Sequence, residues 1–355
     1  MTKAILRRLN GDTTWLVQLP FLDVQSATRA KTYNLLIDPW LSDSEQIDFH
    51  SSFSSQSRNI ASAYPTLSSL SQALAHEALE KAGQERVEYA TEEERTKAHG
   101  GGGSGRIDGI LISHPFTDHA HPQSLLEMPD RTEGDDPLHL FCTQQSRKAV
   151  LSLFQKAGVE KDRYRIFLLP VVGEGEDFFA KAQTALPAGI RIVRLPAKEG
   201  LFSAWGDLHS GLAILWQSDG PDSTFSSIVY SPHGTLQTSL PSWLSKAHHR
   251  LLVTSFDEQT LPLLRLLTGP VALGFETAVL CCYSSEYTPK SKTEHYSPTI
   301  VVRTHDERKT AKGLVARVIS RKEMQADEAQ KMLQQLFGEL AGRVVDLEVG
   351  ETLEV

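Results

Sequence analysis

The hydrophobic positions of this chain fall into short aliphatic runs that alternate with longer segments of helical spacing. Residues 13–19 and 33–37 are rich in β-branched and aromatic side chains, and the connection between them is polar. This pattern predicts an opening β-hairpin. Apolar residues recur every three or four positions over residues 66–83, 144–157 and 323–340, which predicts an amphipathic helix in each segment.

A buried strand is predicted at residues 107–112, which are mostly aliphatic, and it ends at Ser113. Polar residues follow this strand at once: His114, Asp118, His119 and His121. In layered α/β proteins, ligands bind in the crevice beyond the carboxyl ends of the strands. We therefore expect these side chains to form a functional site.

Other histidines also lie next to predicted strands. His209 precedes the strand predicted at residues 211–216, His233 follows residues 227–230, and His305 follows residues 300–303. Their repeated placement at strand ends indicates that several imidazoles belong to one site. Asp38 directly follows the strand at 33–37, where it either supports that site or caps the turn before Pro39.

The organisation of the chain favours one α/β domain that spans residues 1–355. Strands and helices alternate without an internal repeat, which is typical of two sheets with helices outside them. Residues 84–106 are charged and then glycine-rich, which predicts a flexible surface insertion.

Composition narrows the expected partners and compartment. A net charge of −8 over 355 residues argues against nucleic acid and anionic membranes as partners. No stretch approaches the eighteen apolar residues of a membrane-spanning helix, and three cysteines cannot form a disulfide framework. We therefore expect a cytoplasmic protein that acts on a small molecule, while nothing in the pattern sets its oligomeric state.

With these residues in view, the chain resembles the metallo-β-lactamase fold superfamily. The superfamily signature is H-x-H-x-D-H at a strand end, and residues 114–119 read His-Pro-Phe-Thr-Asp-His, so Phe116 replaces the second histidine. The phrases LLIDPWL, DHAHP, YSPHG and THDERK extend the resemblance along most of the chain. It implies an α/β fold of the αββα type, in which two mixed β-sheets are flanked by helices and carry metal ligands at one edge.

The resemblance also implies a ligand set, from which this sequence departs. The superfamily holds two metals bridged by an aspartate. Here Phe116 cannot coordinate, so the first site keeps His114 and gains only His209, while His233 stands at the bridging position. The second site remains as Asp118, His119 and His305, with His233 as a further donor. We therefore expect one divalent metal, zinc in the first place with iron or manganese acceptable, and no second metal.

The resemblance implies a metal-dependent hydrolase of a small ester, lactone, thioester or amide, in which a metal-bound hydroxide attacks the carbonyl. Asp118, His121 and His233 are then the predicted catalytic residues, with His121 as a proton carrier, and Asp38 orients a ligand histidine. Two alternatives stay open. One is a non-hydrolytic enzyme of the same fold that catalyses decarboxylation, elimination or oxidation, and the other is a metal-free binding or scaffold protein.

Overall fold

The structure is a computed structural model that describes residues 3–22, 30–48, 50–81, 106–128, 137–172, 183–197, 208–217, 225–235, 240–261, 270–283, 298–338 and 341–355. The insertion predicted at residues 84–106 lies outside the described residues except for Arg106. None of the described helices combines the length and the apolar character that crossing a membrane requires.

The described residues form short strands and a smaller number of helices. The strands are β1 (Ile5–Arg8), β2 (Trp15–Leu22), β3 (Ala30–Ile37), β4 (Gln46–Asp48), β5 (Ser54–Ser57), β6 (Gly109–Ile112), β7 (Leu138–Cys142), β8 (Tyr164–Leu168), β9 (Ile190–Leu195), β10 (Gly211–Gln217), β11 (Phe225–Ser231), β12 (Arg250–Thr254), β13 (Glu258–Thr260), β14 (Ala272–Leu273), β15 (Ile300–Arg303), β16 (Thr310–Lys312), β17 (Ser320–Lys322), β18 (Arg343–Val345) and β19 (Thr352–Glu354). The helices are α1 (Leu67–Lys81), α2 (Pro122–Leu126), α3 (Gln144–Ala157), α4 (Gly274–Tyr283), α5 (Leu314–Val318) and α6 (Ala326–Phe337), with a 3₁₀ helix at Ser242–Lys246.

The chain divides into two compact units. The N-terminal unit comprises Thr2–Gln46, Ile60–Leu168 and Val349–Val355, and the C-terminal unit comprises Ile47–Asn59 and Leu169–Glu348. The prediction of a single domain is not tested by this division and stays a prediction.

The N-terminal unit is built on a seven-stranded sheet of order β19-β1-β2-β3-β6-β7-β8. Strands β2 and β3 form the predicted antiparallel hairpin. Strand β6 lies parallel to both neighbours, β3 and β7, and all four of its residues are buried, as expected for a parallel strand covered on both faces. Helices α1 and α3 supply apolar side chains to the core of this unit, among them Leu70, Leu74, Val150 and Phe154.

The C-terminal unit is built on a six-stranded sheet of order β18-β15-β12-β11-β10-β9, with two small sheets of order β14-β13-β17 and β16-β5-β4. Strands β11, β12, β15 and β18 run parallel, whereas β10 is antiparallel to both of its neighbours. Helices α4 and α6 pack Phe275, Val279 and Leu333 against the strands. Parallel order matters for the site, because the carboxyl ends of β11, β12 and β15 meet at one edge of the sheet.

Candidate metal centre

In the N-terminal unit, two parallel strands end side by side and place polar residues at the same edge. Asp38 directly follows β3 and Ser113 directly follows β6. The amide of Asp38 donates to the carbonyl oxygen of Leu111 at 2.9 Å, and the backbone at Asp38 then enters the left-handed region with φ 45°. Aspartate is among the residues that tolerate this region. The turn lets Oδ1 of Asp38 accept the amide hydrogen of Ser113 at 2.7 Å.

Asp38 holds His119 through a buried contact. Nδ1 of His119 lies 2.7 Å from Oδ2 of Asp38, and both side chains are fully buried. An ionised carboxylate can only accept, so Nδ1 carries the proton and the lone pair of the neutral ring is on Nε2. This arrangement is the one that orients metal-ligating histidines in proteins.

The surroundings of His119 are strongly negative. Burial by itself lowers the pKa of His119, but the carboxylates of Asp118, Asp38 and Asp12 together outweigh it, so the pKa is raised above its ordinary value. Oδ1 of Asp118 lies 3.7 Å from Nε2 of His119. Three buried carboxylates around one imidazole favour a positive charge at this place, whether a proton or a metal cation.

Three of the contributing residues were not found by sequence reasoning. Asp12 lies in the loop between β1 and β2 and is fully buried, and its neighbour Thr13 donates to the carbonyl oxygen of Asp118 at 2.6 Å. Ser113 was identified only as a strand end, although its hydroxyl contacts Nδ1 of His114 at 2.7 Å. A polar residue that is entirely buried beside a candidate ligand has no distinct signal in a single sequence.

His114 and His121 have different surroundings. The ring of His114 is buried beside that of His119, with centroids 4.8 Å apart. His121 caps the N terminus of α2, where Nδ1 accepts from the amide of Ser124, and its ring stacks on Trp40 with centroids 5.6 Å apart. These contacts account for a structural role of His121, while its catalytic role stays a prediction.

In the C-terminal unit, His233 and His305 lie together beyond the ends of β11 and β15. Their rings meet edge to face with centroids 4.7 Å apart, and both side chains are buried. The backbone at His305 is in the left-handed region with φ 59°. His209 lies two residues before β10, at the same edge of the sheet because β10 is antiparallel to β11.

The loop that carries His305 is anchored by its next residue. The carboxylate of Asp306 is buried and accepts hydrogen bonds from Ser255 Oγ at 2.5 Å, Phe256 N at 2.6 Å, Asp257 N at 3.2 Å and Arg303 Nε at 3.1 Å. Arg321 adds hydrogen bonds to the carbonyl oxygens of Asp306 and Glu307. Both backbone neighbours of His305 are fixed, because the amide of Thr304 also donates to the carbonyl oxygen of Thr254.

Two groups of three buried side chains could each hold a metal ion, since the ligand atoms within each group lie within 4.8 Å of one another. The groups are His114, His119 and His233, and Asp118, His119 and His305. Five of the six predicted metal ligands therefore belong to these groups, and His119 belongs to both. Neither group found among the described residues includes His209.

Comparison with known proteins assigns the fold. No family model and no curated protein matches the chain. Two solved structures are similar to it. The one whose TM-score reaches 0.50 has the metallo-β-lactamase fold, so the predicted α/β fold of sheets flanked by helices is confirmed and the chain has this fold.

These solved structures are both from yeast. The first is unliganded yeast PDE1, with a TM-score of 0.50 and 12% identity over 100% of both chains. The second is a long form of RNase Z, with a TM-score of 0.47 and 12% identity over 99% of this chain. This chain spans 41% of the length of that RNase Z.

The prediction that excluded nucleic acid as a partner is wrong. One of the similar structures is by its name an RNase. The physical reason is that a net charge of −8 is a sum over the whole chain. Contacts with phosphates depend on the local arrangement of cationic and hydrogen-bonding groups, which the sum does not describe.

Proposed function

We propose that this protein is a metal-dependent hydrolase that holds one divalent cation through His119, with Asp118 and His305 as further ligands. The observation that carries the proposal is the group of Asp118, His119 and His305, whose ligand atoms lie within 4.8 Å of one another. Imidazole and carboxylate donors of this kind suit zinc, and iron or manganese is acceptable to them.

The surroundings of these residues support a cation. Nδ1 of His119 is engaged by Asp38, which leaves Nε2 as the coordinating atom. The same three buried carboxylates that raise the pKa of His119 also favour the binding of a divalent cation beside this ring. The backbone at His305 is left-handed and its neighbours are anchored by hydrogen bonds, so the backbone that carries this imidazole is held in place.

The number of ions follows from the position of His119 in both groups. A single Nε2 coordinates one cation in a mononuclear site, and Nδ1 is already bonded to Asp38. The two groups are therefore alternative or overlapping ligand sets for one ion. This reasoning favours one metal, in agreement with the loss of the second histidine of the signature at Phe116.

The proposed reaction is hydrolysis of a small ester, lactone, thioester or amide. A divalent cation at such a site lowers the pKa of water and polarises a carbonyl oxygen. Asp118 would orient the attacking water, and His233, whose ring contacts that of His305, would pass a proton to the leaving group. His121, buried in its cap of α2, is proposed as a second proton carrier.

The experiment is an assay of metal-depleted and zinc-reloaded protein against an ester, a lactone, a thioester and an amide, with a phosphodiester as a separate arm. His119→Ala tests the site, and His76→Ala is the matched control because His76 is exposed on α1. We expect zinc to restore hydrolysis of at least one acyl substrate in the parent and in His76→Ala, and not in His119→Ala. Hydrolysis of the phosphodiester alone would overturn the substrate class, and activity that survives His119→Ala would overturn the site.

A further inference from the structure

The hydroxyl of Ser113 stands between a carboxylate and two imidazoles. Ser113 is buried, and its Oγ donates to Oδ2 of Asp38 at 2.5 Å. The same oxygen lies 2.7 Å from Nδ1 of His114 and 3.3 Å from Nδ1 of His119. One serine hydroxyl therefore contacts three polar side chains at this edge of the N-terminal unit, those of Asp38, His114 and His119.

The hydroxyl has a single proton, which decides the direction of each hydrogen bond. The carboxylate of Asp38 is the strongest acceptor of the three, so the proton points to Oδ2. Oγ can then act only as an acceptor towards His114. The hydrogen bond at 2.7 Å requires that Nδ1 of His114 carry the ring proton, which leaves the lone pair on Nε2.

We propose that Ser113 is a positioning residue that transmits the orienting effect of Asp38 to His114. Asp38 fixes the tautomer of His119 directly, and through Ser113 it fixes the same Nδ1–H tautomer in His114. The two imidazoles, five residues apart in the sequence, then both carry the lone pair of the neutral ring on Nε2. The inference rests on the proposed function only where it adds Nε2 of His114, a member of the overlapping group, to the ligands of the same cation.

An isolated neutral imidazole exchanges between its two tautomers, so a fixed Nδ1–H form is a measurable signature. Long-range ¹H–¹⁵N correlation spectra of metal-free protein, recorded where His114 is neutral, report which ring nitrogen is protonated. We expect His114 to be Nδ1–H in the parent and in Ser113→Thr, which keeps the hydroxyl. In Ser113→Ala we expect a mixture that contains the Nε2–H form.

The same variants are titrated with Zn²⁺. Loss of a partner that orients a ligand histidine weakens metal binding by about 10- to 100-fold, so Ser113→Ala is expected to bind Zn²⁺ at least about 10-fold more weakly than the parent and Ser113→Thr. A changed tautomer with unchanged zinc affinity would overturn the assignment of His114 as a ligand.

The spectrum of the parent protein tests the inference even if a variant does not fold. If His114 were in the Nε2–H form in that spectrum, the proposed role of Ser113 would be overturned. An unchanged tautomer in folded Ser113→Ala would do the same. If the parent binds no Zn²⁺, the proposed function fails, whereas the tautomer of His114 still decides whether Ser113 orients it. The two failures are therefore distinguishable.

Discussion

Nδ1 of His119 lies 2.7 Å from Oδ2 of Asp38, and the two side chains are fully buried. The two residues are far apart in the sequence and meet because β3 and β6 are parallel neighbours. A buried carboxylate beside an imidazole fixes which ring nitrogen carries the lone pair, and it also stabilises positive charge on that ring or on an ion that the ring binds.

Asp38→Asn keeps the shape of the side chain and removes its charge. We expect zinc affinity to fall by about 10- to 100-fold, because an amide is a weaker partner for Nδ1 of His119 than a carboxylate is. Asp43→Asn is the matched control, since Asp43 lies close by in the sequence and is exposed. Isothermal titration calorimetry measures the affinity of both variants for Zn²⁺. Equal affinities of Asp38→Asn and Asp43→Asn would contradict the orienting role of Asp38.

The raised pKa of His119 predicts a pH dependence for the stability of the metal-free protein. A group whose pKa is higher in the folded state contributes stability that is fully present below its unfolded pKa, here the ordinary value of 6.5. That contribution is lost as the pH rises through the folded pKa of His119. In urea denaturation with chelator present, the free energy of unfolding of the parent should therefore exceed that of His119→Gln by more at about pH 6 than at about pH 9. If this difference in unfolding free energy grew with pH instead, the pKa of His119 would have to be lowered in the folded protein.

Cys142 is predicted to be unreactive in the native protein. Its side chain is fully buried at the end of β7, and burial raises the pKa of the thiol to about 12, so almost no thiolate exists near neutral pH. Iodoacetamide followed by peptide mass spectrometry should modify Cys142 only after unfolding in urea. Modification of the native protein at the rate seen in urea would contradict the burial of this thiol.

The anchor of the His305 loop is expected to matter for stability. Asp306→Ala removes a buried carboxylate that contacts Arg303 and three groups of residues 255–257, and leaving buried donors without their acceptor costs about 1–3 kcal/mol. Asp327→Ala is the control, because its ion pair with Lys331 is exposed. Chemical denaturation measures the unfolding free energy of both variants. Equal values for Asp306→Ala and Asp327→Ala would contradict the role of Asp306 as the anchor of the His305 loop.

Much of the fold could be predicted because its signals are local. The continuous aliphatic run of β6 and the helical spacing of α1, α3 and α6 are visible in short windows, and the structure contains each element near its predicted ends. The candidate site residues are expected from the same kind of signal, since a histidine after an aliphatic run is a local pattern, and their roles stay predictions. His114, His119, His233 and His305 all belong to the groups that could hold a metal.

What could not be predicted depends on which strands are neighbours. Ser113 contacts Asp38 only because β6 lies beside β3, and the sequence does not state that pairing. The left-handed backbone at Asp38 and His305 lies beside hydrogen bonds to other strands, which the amides of Asp38 and Thr304 donate. His209 lies at the expected edge of its sheet and belongs to neither group found among the described residues, so its role as a metal ligand stays a prediction.

The central claim is that one divalent cation binds through His119. Its most direct test is the metal content of protein purified without chelator, measured by mass spectrometry with His119→Ala, His305→Ala and the exposed control His76→Ala. We expect one equivalent in the parent and in His76→Ala, and none in the two site variants. No stoichiometric metal in the parent, or two equivalents that survive His119→Ala, would contradict the claim.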